Sequence, residues 1–116
     1  MHDDKNCIFC KIISGEIPGS KVYDDKNVIA FRDIQPAAEL HLLFIHKEHT
    51  VNINEMMMKH PKQLIEIFEA INQFTSENDL INKGYRIISN VGKNAGQSVF
   101  HTHFHLLSGK RLGGIN

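Results

Sequence analysis

The sequence carries no net charge, no long apolar run, no internal repeat and no low-complexity tract, and it holds only two cysteines. Lys and Arg number 13, as do Asp and Glu. That balance argues against duplex nucleic acid as a partner, because such proteins show a basic stripe. It leaves room for one mononucleotide held by a local cluster of donors. No segment approaches the roughly 18–20 apolar residues of a membrane span, so no membrane partner is expected. The start of the chain, Met1 to Asn6, is polar and acidic and lacks the basic and apolar regions of a signal peptide. The expected location is therefore the cytoplasm, where Cys7 and Cys10 stay reduced. With 116 residues there is room for one domain, 1–116, and not for a second. At that size folding buries roughly two-thirds of the chain's surface, so no covalent staple is needed.

Strand and helix signals follow one another simply. Cys7 to Cys10 reads as a turn, and Ser14 to Gly19 is rich in turn formers. Val22-Tyr23 leads through Asp24-Asp25-Lys26-Asn27, a hairpin-like connection, to a strand at Val28–Phe31. Leu40–Ile45 is a second strong strand, with His41 just inside its start. Residues 61 to 78 form the main helix: Pro61 suits the first helical position, and Leu64, Ile67, Phe68, Ile71 and Phe74 share one face. A short helical turn around Asn54 to Met58 precedes it. Tyr85–Ser89 and Val99–Leu107 are further strands, separated by a loop at Asn90–Ser98 with glycines at 92 and 96. This order of elements predicts an α+β fold with a mainly antiparallel sheet, one main helix and a short one.

What the chain has in excess is histidine, eight in all, of which three alternate within five residues. Successive side chains of a strand point to opposite faces. His101, His103 and His105 then share one face, while Thr102, Phe104 and Leu106 face the helix. Three imidazoles in a row can be metal ligands, phosphate donors or catalytic groups. Surface histidines on a half-exposed strand are the bland alternative, but strict period two has little packing reason. The loop before them, Asn94-Ala95-Gly96-Gln97-Ser98, can cradle an anion. Its glycine lets backbone amides approach closely, and Gln97 and Ser98 add side-chain donors.

His101-Thr102-His103-Phe104-His105-Leu106-Leu107 resembles the His-x-His-x-His-x-x signature of the histidine triad family. Gly96 to Phe100 resembles the Hint branch, whose members act on nucleoside phosphoramidates. Similar blocks run along nearly the whole chain: Ile8 to Ile13 with Glu16-Ile17-Pro18, Ala30 to Ile34, His41 to His49, and Lys83 to Arg86. The resemblance implies a histidine-triad fold with a sheet of about five strands. It also implies a hydrolase in which His103 attacks the α-phosphorus of a purine nucleotide and forms a nucleotidyl-histidine. Imidazole suits that task because it is nucleophilic when neutral and leaves readily once phosphorylated. His105, Gln97, Ser98 and the Gly96 amide would hold the phosphate, and Asn90 matches a phosphate-side asparagine. Ser98 or a histidine would help protonate the leaving amine. His41 resembles the fourth histidine of the family's relay. Asp33 would accept hydrogen bonds from the ribose hydroxyls, and Phe9, Ile12, Phe31 and Ile34 match the positions that sandwich the base. Core packing is the competing role for these apolar residues.

Cys7-x-x-Cys10 has zinc-ligand spacing. In the zinc-bearing bacterial branch that this N-terminus resembles, positions equivalent to His49 and His101 complete a structural Cys2His2 site. His101 is then claimed both by zinc and by the relay. A redox pair or two inert thiols are the alternatives, and no organic cofactor is implied. His2, His46 and His60 read as surface residues, although His46 stands where the family commonly has proline. Thr102 occupies a position that is usually apolar, and the tail after Gly109 is short. The family implies a homodimer through the main helix and the Tyr85–Ser89 strand. Two other activities compete: cleavage of dinucleoside polyphosphates, as in the Fhit branch, and nucleotide binding without turnover.

Overall fold

The computed structural model describes residues 7–114. Its centre is a sheet of five antiparallel strands: β1 (Lys21–Asp24), β2 (Val28–Arg32), β3 (Leu40–His46), β4 (Tyr85–Ile88) and β5 (His103–Ser108). Their spatial order is β1-β2-β3-β5-β4. The predicted N-terminal stretch 1–6, with His2, lies outside the described residues. Among the described residues no helix is long and apolar enough to cross a membrane.

Register divides the sheet into two faces. Ala30 lies beside Phe44, and Phe44 beside Phe104, so alternate residues of three adjacent strands form one apolar layer. Val28, Ala30, Leu42, Phe44, Phe104 and Leu106 pack there against Met56 of α2 (Ile53–Lys59) and Ile67, Ala70 and Ile71 of α3 (Pro61–Glu77). Phe68, though 39% exposed, meets Phe104 edge-on at 5.2 Å. The short helix α2 starts at an asparagine N-cap: Asn52 Oδ1 accepts from Glu55 N–H at 2.9 Å, and Glu55 Oε1 accepts from Val51 N–H, one residue before the cap.

The other face carries the opposite alternation. Ile29, Phe31, Leu43 and Ile45 bury against Phe9, Cys10 and Ile12. Those last residues belong to α1 (Ile8–Ser14), a helix where the sequence reads as a turn. It is capped by the Cys7 sulfur, which accepts from Cys10 N–H, and it ends at Gly15 in the left-handed region (φ 84°). A further short helix, α4 (Leu80–Lys83), also went unpredicted. The second difference concerns the histidine strand. β5 begins at His103 and not at Val99, because Thr102 N–H donates to Thr50 O and not to the sheet ladder. His101 therefore precedes the strand, yet it is fully buried.

Candidate active site

β5 delivers His103 and His105 to the α1 side of the sheet, beside Ile45 and Leu43 of β3. Their rings lie 5.0 Å apart, and Phe9 meets His103 edge-on at 5.1 Å. His103 Nδ1 sits 2.7 Å from the carbonyl oxygen of His101. A carbonyl only accepts, so Nδ1 carries the proton and Nε2 keeps a lone pair. Burial pushes the pKa of His103 down, which favours that neutral form. His105 is pushed down to about 4, by burial first and then by the charges that His103 and His41 would carry.

His41, at the start of β3, is buried behind His105, with its Nε2 2.9 Å from His105 Nδ1. The other ring nitrogen accepts from the backbone N–H of Ala37 at 2.9 Å. Asp33 Oδ2 approaches His41 Nε2 to 3.5 Å.

In front of the histidines opens a cleft of about 530 Å³, within the size range of small-molecule sites. Phe9, Ile12, Phe31 and Leu43 form its apolar wall, Ile34 and Asp33 stand at the β2 end, and Ser98, His103 and His105 supply polar edges. Ile34 is 92% exposed, so it is a rim residue and not core. Pro18, Gly19 and Ser20 also line it. They read as a turn in the sequence; in the structure a Cβ at Gly19 would come within 2.8 Å of Ile12.

Not every predicted anion ligand is in the lining. Gln97 is buried, and its side chain is committed to the loop. Its Oε1 accepts from Gly92 N–H at 2.8 Å, while Nε2 donates to Val51 O and Val99 O at 2.7 and 3.1 Å. Asn90 Nδ2 likewise donates to Ala95 O at 2.7 Å, next to Gly96 in the left-handed region (φ 86°). Gln97 and Asn90 thus shape the loop that presents Ser98.

Among the described residues, two clusters gather metal-ligating side chains within 4.8 Å: Cys7, Cys10, His49 and His101, and Asp33, His41 and His105. Their proton positions separate them. His101 Nε2 donates to His46 O at 2.9 Å, leaving a lone pair on Nδ1, which faces Cys7 and Cys10 sulfurs at 3.4 and 3.5 Å. Cys10 Sγ is 3.2 Å from His49 Nδ1. Bonds of about 2.3 Å to sulfur and 2.0–2.1 Å to nitrogen would set tetrahedral ligand atoms about 3.3–3.8 Å apart, so this donor set fits a metal ion. Burial pushes the His101 pKa down to about 4, favouring the unprotonated ligand. In the second cluster the Ala37 amide forces the His41 proton onto Nε2, which then offers hydrogen and not a lone pair. His101 contacts His103 through its backbone carbonyl, while both its ring nitrogens are turned elsewhere.

His46 is buried and not at the surface, contrary to the expectation from sequence. It is 3% exposed, with Nε2 donating to Glu66 Oε1 at 2.8 Å and Nδ1 accepting from Glu48 N–H at 3.1 Å. It joins β3 to α3 instead of facing solvent. His60 is half-buried at the start of α3.

A HIT domain model matches residues 14–112. The chain belongs to the HIT domain family. Among its HIT relatives, the purine nucleoside phosphoramidase of Escherichia coli (strain K12) is 39% identical over 106 residues, covering 91% of this chain and 89% of its own. Two solved HIT structures share the fold. A HIT family hydrolase from Clostridium thermocellum has a TM-score of 0.90 at 46% identity, covering 97% of both chains. A histidine triad protein from Clostridium difficile has a TM-score of 0.92 at 38% identity, covering 98% of this chain and 99% of its own. The five-stranded antiparallel sheet with its helices is thus the HIT fold, and the hydrolase class goes with it.

Proposed function

We propose that this protein hydrolyses purine nucleoside 5′-phosphoramidates, releasing the nucleoside monophosphate and an amine, through a nucleotidyl intermediate on His103. The observation that carries this reading is the 2.7 Å contact from His103 Nδ1 to His101 O, which leaves an unprotonated Nε2 at a nucleotide-sized cleft. The printed name of the Escherichia coli relative supports the choice of substrate.

In the first step His103 Nε2 attacks the α-phosphorus and the P–N bond breaks. The departing nitrogen takes a proton from solvent by way of Ser98, and the imidazole ring becomes a cation held by the His101 carbonyl. In the second step water attacks phosphorus, the P–Nε2 bond breaks, and the water proton returns to solvent. His103 is then neutral again, with its proton still on Nδ1. His105 donates to a phosphoryl oxygen, where charge grows in the transition state. The Gly96 and Gln97 amides are spent inside the loop, on Lys93 O and Gly92 O at 3.0 Å each, so Ser98 is the residue of that turn offered to the phosphate, while Gln97 and Asn90 hold the turn in shape. Asp33 accepts from the ribose hydroxyls, and Phe9, Ile12, Phe31 and Ile34 receive the base.

The Cys7, Cys10, His49 and His101 set is proposed to hold a structural zinc ion, as a closed site without an open coordination position. Thiolate ligands suit a reducing compartment, in keeping with a cytoplasmic protein. We also propose a homodimer. Ile65, Phe68, Ile81 and Tyr85 leave apolar surface exposed on α3, α4 and the edge strand β4.

The test is AMP release from adenosine 5′-phosphoramidate by wild type and His103→Ala side by side. Loss of at least about a thousandfold in kcat is expected from removing a covalent nucleophile. Absence of wild-type turnover, with AMP still bound, would overturn the phosphoramidase reading.

A further inference from the structure

His41 has a proton arrangement that the backbone dictates. Ala37 N–H can only donate, so His41 Nδ1, 2.9 Å away, must accept. A neutral imidazole then holds its one proton on Nε2. That proton points at His105 Nδ1, 2.9 Å away, with Asp33 Oδ2 more distant at 3.5 Å. His105 Nδ1 is therefore the acceptor, and the proton of His105 sits on its own Nε2, the remaining nitrogen of a ring that lines the cleft.

The amide is itself held in place. Asp33 N–H donates to His41 O at 3.0 Å, and Gln35 N–H donates to Asp33 Oδ1 at 2.8 Å. These bonds fold the segment 33–39 back over the start of β3, and Pro36 precedes the donor residue. A second proton on His41 would set two N–H groups against each other across 2.9 Å, in a side chain only 7% exposed. Loss of the Nε2 proton would leave an imidazolate. The geometry thus holds one proton on the ring, at Nε2.

We propose that Ala37 and His41 form a fixed-tautomer clamp in which His41 is a positioning residue that passes no proton, and which presents His105 to the phosphate as a neutral Nε2–H donor. The identity of the anion rests on the phosphoramidase reading; the tautomers do not. His105 then supplies an oriented hydrogen bond and not an acid. Giving up its Nε2 proton would require taking the one proton that His41 holds on Nε2, and His41 would be left an imidazolate. The leaving nitrogen must be protonated on the Ser98 side or by solvent. A donor fixed before substrate arrives needs no reorganisation during the reaction.

The experiment is long-range ¹H–¹⁵N NMR on histidine-labelled protein, free and with AMP, together with His41→Gln and His41→Ala. Glutamine offers an oxygen to the Ala37 amide and an N–H to His105, but cannot carry a proton. Wild type should show His41 and His105 both protonated on Nε2 alone. His41→Gln should keep the His105 tautomer and retain kcat within about tenfold, whereas His41→Ala should mix the tautomers and lose a further 10–100-fold or about that. A doubly protonated or Nδ1–H His41 at neutral pH overturns the proposal. So does a His41→Gln protein that keeps the His105 tautomer but is as slow as His41→Ala. Should wild type cleave no phosphoramidate, that reading fails alone, and the tautomers of the free protein still decide this one.

Discussion

Replacing Thr102 by valine removes one oxygen at constant shape, from a residue that sits between the candidate zinc ligand His101 and the candidate nucleophile His103. Thr102 and Thr50 are 1% and 2% exposed, and their hydroxyl oxygens are 2.6 Å apart. Thr102 Oγ1 donates to Thr50 O at 3.1 Å, so the Thr50 hydroxyl must donate to Thr102 Oγ1. In Thr102→Val that Thr50 hydroxyl stays buried with its acceptor gone, which costs about 1–3 kcal/mol. Thr50→Val removes the same bond but leaves Thr102 its carbonyl acceptor, so its cost is about 0.5–1 kcal/mol. The double variant has no stranded hydroxyl, and Thr102 N–H still reaches Thr50 O at 2.8 Å. Its total cost should be no more than that of Thr102→Val, about 1 kcal/mol of coupling being recovered. Urea unfolding of the four proteins at equal zinc loading reads these differences, with Tm falling about 4 °C per kcal/mol at this chain length. Equal losses for Thr102→Val and Thr50→Val, adding in the double variant, would refute the donor assignment.

Acid and metal removal give two further predictions. The His105 pKa is lowered from 6.5 to about 4 in the folded protein, so on acidification the unfolded chain binds that proton first. Stability should be flat in this respect above about pH 7 and decline as pH falls toward about 4, by less than about 3 kcal/mol for this group once solvent screening of the partly exposed ring is allowed for. His105→Gln should flatten that decline in urea midpoints measured between about pH 7 and pH 5; an unchanged slope would place the titration elsewhere. Purified protein should carry about one zinc ion per chain by elemental analysis. The Cys7→Ser/Cys10→Ser variant should lose the ion and melt at a lower temperature. Stoichiometric zinc in that variant would remove these thiols from the ligand set.

Period-two and period-3.6 patterns carried the sheet and α3 because each element is long enough to repeat. Val28–Phe31 and Leu40–Ile45 alternate between two cores, and Ile67 and Ile71 lie one turn apart on the buried side of α3. Residues 8–14 span only two turns, too few for a 3.6-residue period to repeat, and the two isoleucines that share the cleft face differ in burial. Ile8 is 44% exposed at the cleft, while Ile12 is buried. The capping group there is a thiol, outside the usual Ser, Thr, Asp and Asn set. Val99–Thr102 has strand composition, yet Phe100 is 47% exposed and Thr102 bonds to Thr50 instead of β3. Gln97 shows the same limit at the site. Its residue type announces a donor, but which acceptor it serves depends on Val51, 46 positions away.

The imidazoles of the site make the general point. A histidine in the sequence says that two ring nitrogens are present, not which one holds the proton. Here backbone groups decide for three of them: Ala37 N–H for His41, His46 O for His101, and His101 O for His103. His101 contributes its ring to the cysteine cluster and its carbonyl to His103, so ordering that cluster also orders the nucleophile's tautomer. His103 keeps Nε2 for the cleft for the same reason that His101 keeps Nδ1 for a metal: each gives its other N–H to a carbonyl. Chemistry that reads as a pattern of side chains is therefore completed by main-chain atoms. Their positions follow from where β3 ends and where the segment after β2 turns back.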